Sequence, residues 1–400
     1  MTVRLRNGDL ETTWGLPISA IHVQDILDRM NVQSGREIEY KFSNYDLVDL
    51  PANVLDKWHK ADIYKLNVFA ERFEQLEKYQ KAGFKSVLMR NPDSSIDDMI
   101  AMTYGVDCVP VYPASTYAEI GEIAIENDML PEIEQCPDEV VPLLDRELVG
   151  KKLAEIDSGV FVDGYYCLPD SYEEPDISLT IEVPDKRFFR VLVSPSATTT
   201  DQAQWFNLPE DIRRLREYSA ECNLTPEQMY ITEVESVLPN ITDAAYYEAF
   251  WVEDMIALSE QMTCMSKAQI VKLKAVMEAE NIQTFSGARE AIDCLRGYDF
   301  DPMIQDESQY GKIYACRVFP TNFDWSILED CNMHDFGKQV LSRKHGQMTE
   351  YGVLSGKGQK LYTNLTVEPE TMQEIEDEAE AEDESETEDE SEEMSMGGMT

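Results

Sequence analysis

Between Val3 and Leu16, apolar and polar residues alternate on either side of Asn7-Gly8. That dipeptide favours a two-residue hairpin turn, so the chain is predicted to open on a strand pair. Pro17 then stands where helices begin, and Ile18, Ile21, Ile26 and Met30 give a helical face that runs to a break at Gly35. From Glu37 to Tyr45 the alternation of Ile38, Tyr40 and Phe42 predicts another strand. The period then lengthens: Leu66, Phe69, Phe73 and Leu76 share one helical stripe, with Glu71, Glu74 and Glu77 off it. A second helix is predicted from Ser94 or Ser95, with Asp97 and Asp98 in its first turn, where carboxylates suit the helix dipole. A third follows Ser115, burying Ile120, Ile123 and Ala124 and turning out Glu119, Glu122 and Glu126. After breaks at Leu130-Pro131 and Pro137, Asp138 to Leu153 reads as helix and Gly159 to Tyr166 as strand.

Several of these features return later in the same order, about 190 positions on, roughly the length of a domain. Trp14 with Leu16-Pro17 is answered by Trp205 with Leu208-Pro209. Tyr40 with Leu50-Pro51 is answered by Tyr230 with Leu238-Pro239, and Ser115 with Ile120 by Ser308 with Ile313. Gly150, Lys151 and Leu153 return as Gly337, Lys338 and Val340. A helical stripe of Trp251, Met255, Leu258 and Met262 marks the middle of the second copy. The expected fold is therefore α+β: two tandem elongated repeats, each made of small α+β subdomains around a helical middle. The boundaries are 1–167 for the first repeat, 168–186 for a Pro- and acid-rich linker, 187–366 for the second, and 367–400 for a disordered acidic tail.

Charge changes the picture more than size does. The 78 acids outnumber the 34 bases by 44. Sixteen acids lie between Glu368 and Glu393, and without them the body still carries a charge of −28. Such a field repels nucleic acid and anionic membrane and attracts basic partners. Adaptation to a salt-rich cytoplasm is a weaker account, because 18 Met, 14 Phe and 8 Cys do not suit a chain pared down for high salt. The cysteines are scattered without CxxC spacing, as reduced cytosolic thiols are. The first residues lack the apolar stretch of a signal peptide, and no run reaches membrane-spanning length. A soluble, cytoplasmic protein is expected.

Catalytic chemistry is not indicated. Ser355-Gly356-Lys357-Gly358 departs from a phosphate-binding loop in spacing and in the residue after the lysine, and reads as a glycine turn. His22, His59, His334 and His345 have no metal-ligand spacing, and no nucleophile elbow is present. No cofactor or metal is expected. The aromatics lack the basic groove that stacking proteins use, so direct nucleic-acid binding is not expected either. Carboxylates on successive turns, about 5.4 Å apart, instead offer a ladder comparable with duplex DNA, which carries one charge per roughly 1.7 Å.

One stretch resembles a known family. Asp145, Gly150, Lys151 and Leu153, followed by Ser158-Gly159-Val160-Phe161, resemble the C-terminal anti-restriction motif of the ArdA-type antirestriction proteins. That motif has an Asp, an aromatic-Gly-Arg, a Leu and then Ser-Gly-Thr-Phe. Trp14-x-Leu-Pro and the helix at Leu66-Asn67 are similar to other parts of that family. Here Lys151 replaces the Arg and Val149 the aromatic; in the second copy Asn332 replaces the Asp, while Phe336 restores the aromatic before Gly337 and Lys338. The resemblance covers residues 1–167 and, more faintly, 187–360. It implies an elongated α+β mimic of bent B-form DNA that fills the DNA groove of type I restriction-modification enzymes. Family members act as homodimers joined near the motif, so a duplicated chain implies a pseudo-dimeric monomer.

The expected working surface is dispersed over Glu71, Glu74, Asp97, Asp98, Glu119, Glu122, Glu126, Glu132 and Glu134, with Asp243, Glu248, Glu253, Asp254 and Glu260 in the second repeat. Glu119, Glu122 and Glu126 correspond roughly to Lys312, Ala315 and Val318 in the expected register, so that acidic face is not duplicated. Two rivals remain: an acidic adaptor or chaperone that binds a basic protein through the tail, and a degenerate enzyme domain.

Overall fold

The computed structural model describes residues 1–32, 37–43, 52–137, 139–178, 181, 186–196, 201–241, 252–320, 322–328 and 331–356. The fold is mixed α+β with several small sheets, and its contacts divide the chain into Met1–Asp185 and Lys186–Thr400.

The first unit opens on the predicted hairpin, β1 (Thr2–Asn7) and β2 (Leu10–Gly15), with Gly8 at φ 63° in the turn. Helix α1 (Ala20–Arg29) begins after Ser19, whose Oγ accepts the backbone N–H of His22. Ile18 therefore precedes the helix instead of lying on its face: the cap, not Pro17, sets the first turn. Strand β3 (Ile38–Phe42) joins β1, and after the short α2 (Ala52–Leu55), β4 (His59–Ala61) completes a four-stranded antiparallel sheet ordered β2-β1-β3-β4. Its inward residues Val3, Leu5 and Tyr40 pack with Leu66, Phe69 and Phe73 of α3 (Ile63–Gln75).

Helix α4 (Lys78–Arg90) falls where the pattern predicts nothing. Its residues from Ala82 to Leu88 are all buried, Lys85 and Ser86 included. A helix covered on most sides has no single apolar stripe to read. Helix α5 (Ile96–Gly105) starts at the predicted place, closed by a reciprocal box in which Ser95 N–H donates to Asp98 and Asp98 N–H donates to Ser95.

A small third module follows, with α6 (Tyr117–Glu126), the single turn α7 (Pro131–Glu134) and α8 (Arg146–Asp157) beside a sheet ordered β5 (Val111–Tyr112), β7 (Tyr165–Cys167), β6 (Val160–Val162). The expected helix from Asp138 to Leu153 is corrected. Val141–Leu143 is a 3-10 turn containing Pro142, and the helix begins only after Asp145, whose carboxylate accepts Leu148 N–H. The predicted strand from Gly159 to Tyr166 is a hairpin turning at Asp163 and Gly164, both at positive φ. Part of the stretch read as linker packs on this unit: Leu168 N–H donates to Pro110 C=O, and Tyr172 packs against the first core.

The second unit passes through a similar order. A sheet ordered β10 (Tyr230–Ser236), β8 (Phe189–Ser194), β9 (Gln204–Leu208) carries α9 (Ile212–Glu221) between β9 and β10. Three helices follow, α10 (Val252–Thr263), α11 (Lys267–Ala279) and α12 (Phe285–Cys294). Met255, Leu258 and Met262 are buried on α10 as their spacing predicts, whereas Trp251 lies outside the described residues. The unit ends with α13 (Glu307–Val318) and α14 (Met333–Arg343) beside a sheet ordered β11 (Tyr298–Asp301), β13 (Gly352–Gly356), β12 (Gly346–Thr349). Ser355 and Gly356 belong to β13, so the glycine turn expected there is in part strand; Lys357 and everything after it lie outside the described residues.

In both units the last two helices cross at a glycine pair. A Cβ on Gly121 would lie 1.8 Å from Arg146 O, and one on Gly150 1.9 Å from Tyr117 O. Gly311 and Gly337 repeat the arrangement at 2.5 Å from Met333 O and 1.8 Å from Glu307 O. Counted from these glycines, the position in the second unit that corresponds to Ser115 is Gln305, where the expected register gave Ser308. Ser115 N–H donates to Glu119 and Gln305 N–H donates to Gln309, each just before its helix. In that count Glu119, Glu122 and Glu126 correspond to Gln309, Lys312 and Cys316.

Candidate functional site

The expected acidic surface divides into three groups by what each carboxylate touches. Glu71, Glu74, Glu126, Glu134 and Glu260 are exposed and form no ion pair among the described residues. Glu71 and Glu74 lie one turn apart on the outer side of α3, opposite buried Phe69 and Phe73, because burying the aromatic stripe turns the intervening acids to water. A second group serves the helix starts: Asp98 closes the box at Ser95, and Glu119 accepts Ser115 N–H at 2.6 Å. A third group is neutralised in place. Asp97 pairs with Lys65 at 2.7 Å, Glu122 with Arg146 at 3.4 Å and Glu132 with Lys152 at 2.6 Å. In the second unit Glu253 pairs with Arg216 at 3.5 Å and Asp254 with Arg289 at 2.9 Å. The Lys152 hydrogen bond holds the Glu132 carboxyl below the usual glutamate range. Asp243 and Glu248 lie outside the described residues.

The motif residues are placed by the helix pair. Asp145 and Asn332 cap α8 and α14, Gly150 and Gly337 form the crossings, and Leu153 is buried in the core of the third module. Lys151 is exposed; it donates to Glu147 at 2.6 Å and lies 6.0 Å from the Tyr117 ring centroid, and the Glu147 bond raises its pKa. Phe336 is partly exposed near Tyr314, with ring centroids 6.2 Å apart, and Lys338 is exposed. Most of the motif thus builds the helix pair, and its surface contribution falls on Lys151, Phe336 and Lys338. Leu148 and Ile156 add apolar side chains to the outside of α8, each 62% exposed.

Two residues of the interior escape the sequence reading. Lys85 is 5% exposed at the eighth position of α4 and donates to Asp163 in the β6–β7 turn at 2.6 Å. Lys274 is fully buried at the eighth position of α11, with its Nζ 5.6 Å from the Tyr351 ring centroid. The readable signal was the pair Phe84-Lys85-x-Val87 and Leu273-Lys274-x-Val276.

No group of three or more His, Cys, Asp or Glu among the described residues is placed to hold a metal ion. No helix among them is long and apolar enough to cross a membrane.

The α+β modules and the exposed carboxylates define the class of surface this chain offers. In comparisons with protein-family models, curated proteins and solved structures, nothing matches the chain.

Proposed function

We propose that this chain is a non-enzymatic DNA mimic acting in the cytoplasm, which inhibits a type I restriction-modification complex by placing its acidic surface in the enzyme's DNA groove. The observation that carries this reading is the set of exposed carboxylates without cationic partners among the described residues, Glu71, Glu74, Glu126, Glu134 and Glu260, on helices or helical turns. A basic groove that evolved for phosphates gains the same counterion release from carboxylates as from a duplex. The resemblance of Asp145 to Phe161 to the anti-restriction motif supports the choice of target. The matching glycine crossings support a duplicated chain that works as a pseudo-dimeric monomer.

Competition is the test. A type I restriction-modification enzyme and labelled DNA are titrated with the intact protein and with a form lacking residues 368–400, at two salt concentrations. Displacement of DNA by both forms, fading as salt rises, is the expected result. Displacement that does not change with salt would remove the electrostatic basis of the reading. Displacement by the intact form alone would move the activity to the tail, as an acidic adaptor requires.

A further inference from the structure

In a chain whose acids exceed its bases by 44, three cations stand together without carboxylate partners among the described residues. Arg317 near the end of α13, and Arg343 and Lys344 at the end of α14, line one open cleft of about 610 Å³ with His345 beside them. None of Arg317, Arg343 and Lys344 forms an ion pair among the described residues; Lys344 Nζ lies 4.8 Å from the Tyr314 ring centroid. Two carboxylates share the lining. Asp301 accepts Met303 N–H at 3.0 Å, and Asp299 also has a partner of its own. A cation at a helix C-terminus is favoured by the macrodipole, which accounts for one at each helix end. It does not account for three on one cleft.

Among the described residues, the corresponding turn of the first unit lacks these cations. Taking the glycine crossings as the register, Arg343, Lys344 and His345 stand where the first unit has Ile156, Asp157 and Ser158. The turn itself is the same, with His345 at φ 52° and Ser158 at φ 56°, but its charge is reversed. The cleft is thus a property of the second unit, and the second unit alone leads into the acidic segment. Ser355 and Gly356, at the end of β13, are themselves lining residues. Glu368, the first of sixteen acids, follows twelve residues after Gly356. A connector of that length has an end-to-end distance of roughly 20 Å, which holds the acids near the cleft at an effective concentration on the order of millimolar.

We propose that this cleft is the docking groove for the chain's own acidic segment, residues 368–393. Docking sets the tail against Arg317, Arg343 and Lys344, so that a basic partner must compete with the cleft for the tail. The proposal is independent of the DNA-mimic reading.

Carbodiimide cross-linking of the full chain tests it, since the reagent joins an ammonium to a carboxylate only when they are in contact. Peptide mapping would compare Lys344 with Lys338, an exposed lysine on the same helix that does not line the cleft. At about 0.1 M salt, Lys344 is expected to couple to residues 368–393 several-fold more than Lys338 does. At about 1 M salt, where the Debye length shrinks to about 3 Å, that excess is expected to vanish. Arg317→Gln with Arg343→Gln should lower the yield at Lys344 while leaving the circular dichroism spectrum unchanged. Equal yields at the two lysines of the wild-type chain, or an excess at Lys344 that survives high salt, would overturn the proposal whether or not the double variant folds.

Discussion

Gly121 and Gly150 bring two helices to backbone contact: a Cβ on Gly150 would sit 1.9 Å from the Tyr117 carbonyl oxygen, and one on Gly121 1.8 Å from the Arg146 carbonyl oxygen. Neither obstacle is a flexible side-chain tip that could swing aside. Gly150→Ala must push α8 from α6, so a stability loss of about 1–3 kcal/mol is expected by chemical denaturation. Gly337→Ala should behave alike, since its Cβ would meet Glu307 O at 1.8 Å. Gly15→Ala, with nothing within 4 Å, is the control and should change little.

Lys151 follows Gly150 directly and answers a different question. Its partner Glu147 is exposed, and exposed pairs at this spacing contribute little to stability. Lys151→Ala is therefore expected to leave the denaturation midpoint nearly unchanged. If this variant loses the proposed inhibition of a restriction enzyme at unchanged stability, Lys151 faces the target.

The half-buried pair of Lys85 and Asp163 ties the middle of the first unit to the turn of its last hairpin. Removing the carboxylate leaves an ammonium enclosed, whereas removing the ammonium leaves a carboxylate that is 30% exposed and still reached by water. Asp163→Asn is expected to cost about 3 kcal/mol, and Lys85→Met distinctly less. Urea unfolding of the two variants gives the order; the reverse order would show that Asp163 is the group that depends on the pair.

Acid titration should single out Glu132. Its carboxyl is held below the usual range by the Lys152 hydrogen bond. For a carboxylate with a lowered folded-state pKa, the stabilisation is complete above the unfolded value and is lost as pH falls through the folded one. Carboxyl NMR should show Glu132 titrating below the usual glutamate range, and Lys152→Gln should move it back toward that range.

The charge surface should respond to sums. Neutralising Glu71, Glu74, Glu126, Glu134 or Glu260 singly to Gln is expected to weaken competition with DNA by less than about threefold. Neutralising all five together should weaken it at least about tenfold and flatten its salt dependence, because fewer counterions are released. A single variant that abolished competition would show a localised contact in place of a ladder.

Much of this fold was written in local pattern. The hairpin at Asn7-Gly8, the start of α5 at Ser95 and the buried stripes of α3 and α10 follow from turn geometry, capping and helical period, which act between residues a few positions apart. The acidic excess is likewise plain from composition. Tertiary structure alone decided the rest. Helix α4 is covered on most of its sides, so it carries no stripe to read, and its Lys85 is buried only because Asp163 arrives from 78 positions away. The extent to which the acids are free also depended on distant cations: Lys65, Arg146 and Lys152 neutralise Asp97, Glu122 and Glu132, whereas Glu71, Glu74 and Glu126 have no such neighbour among the described residues. Charge is a property of the residue, but its pairing is a property of what the fold sets beside it.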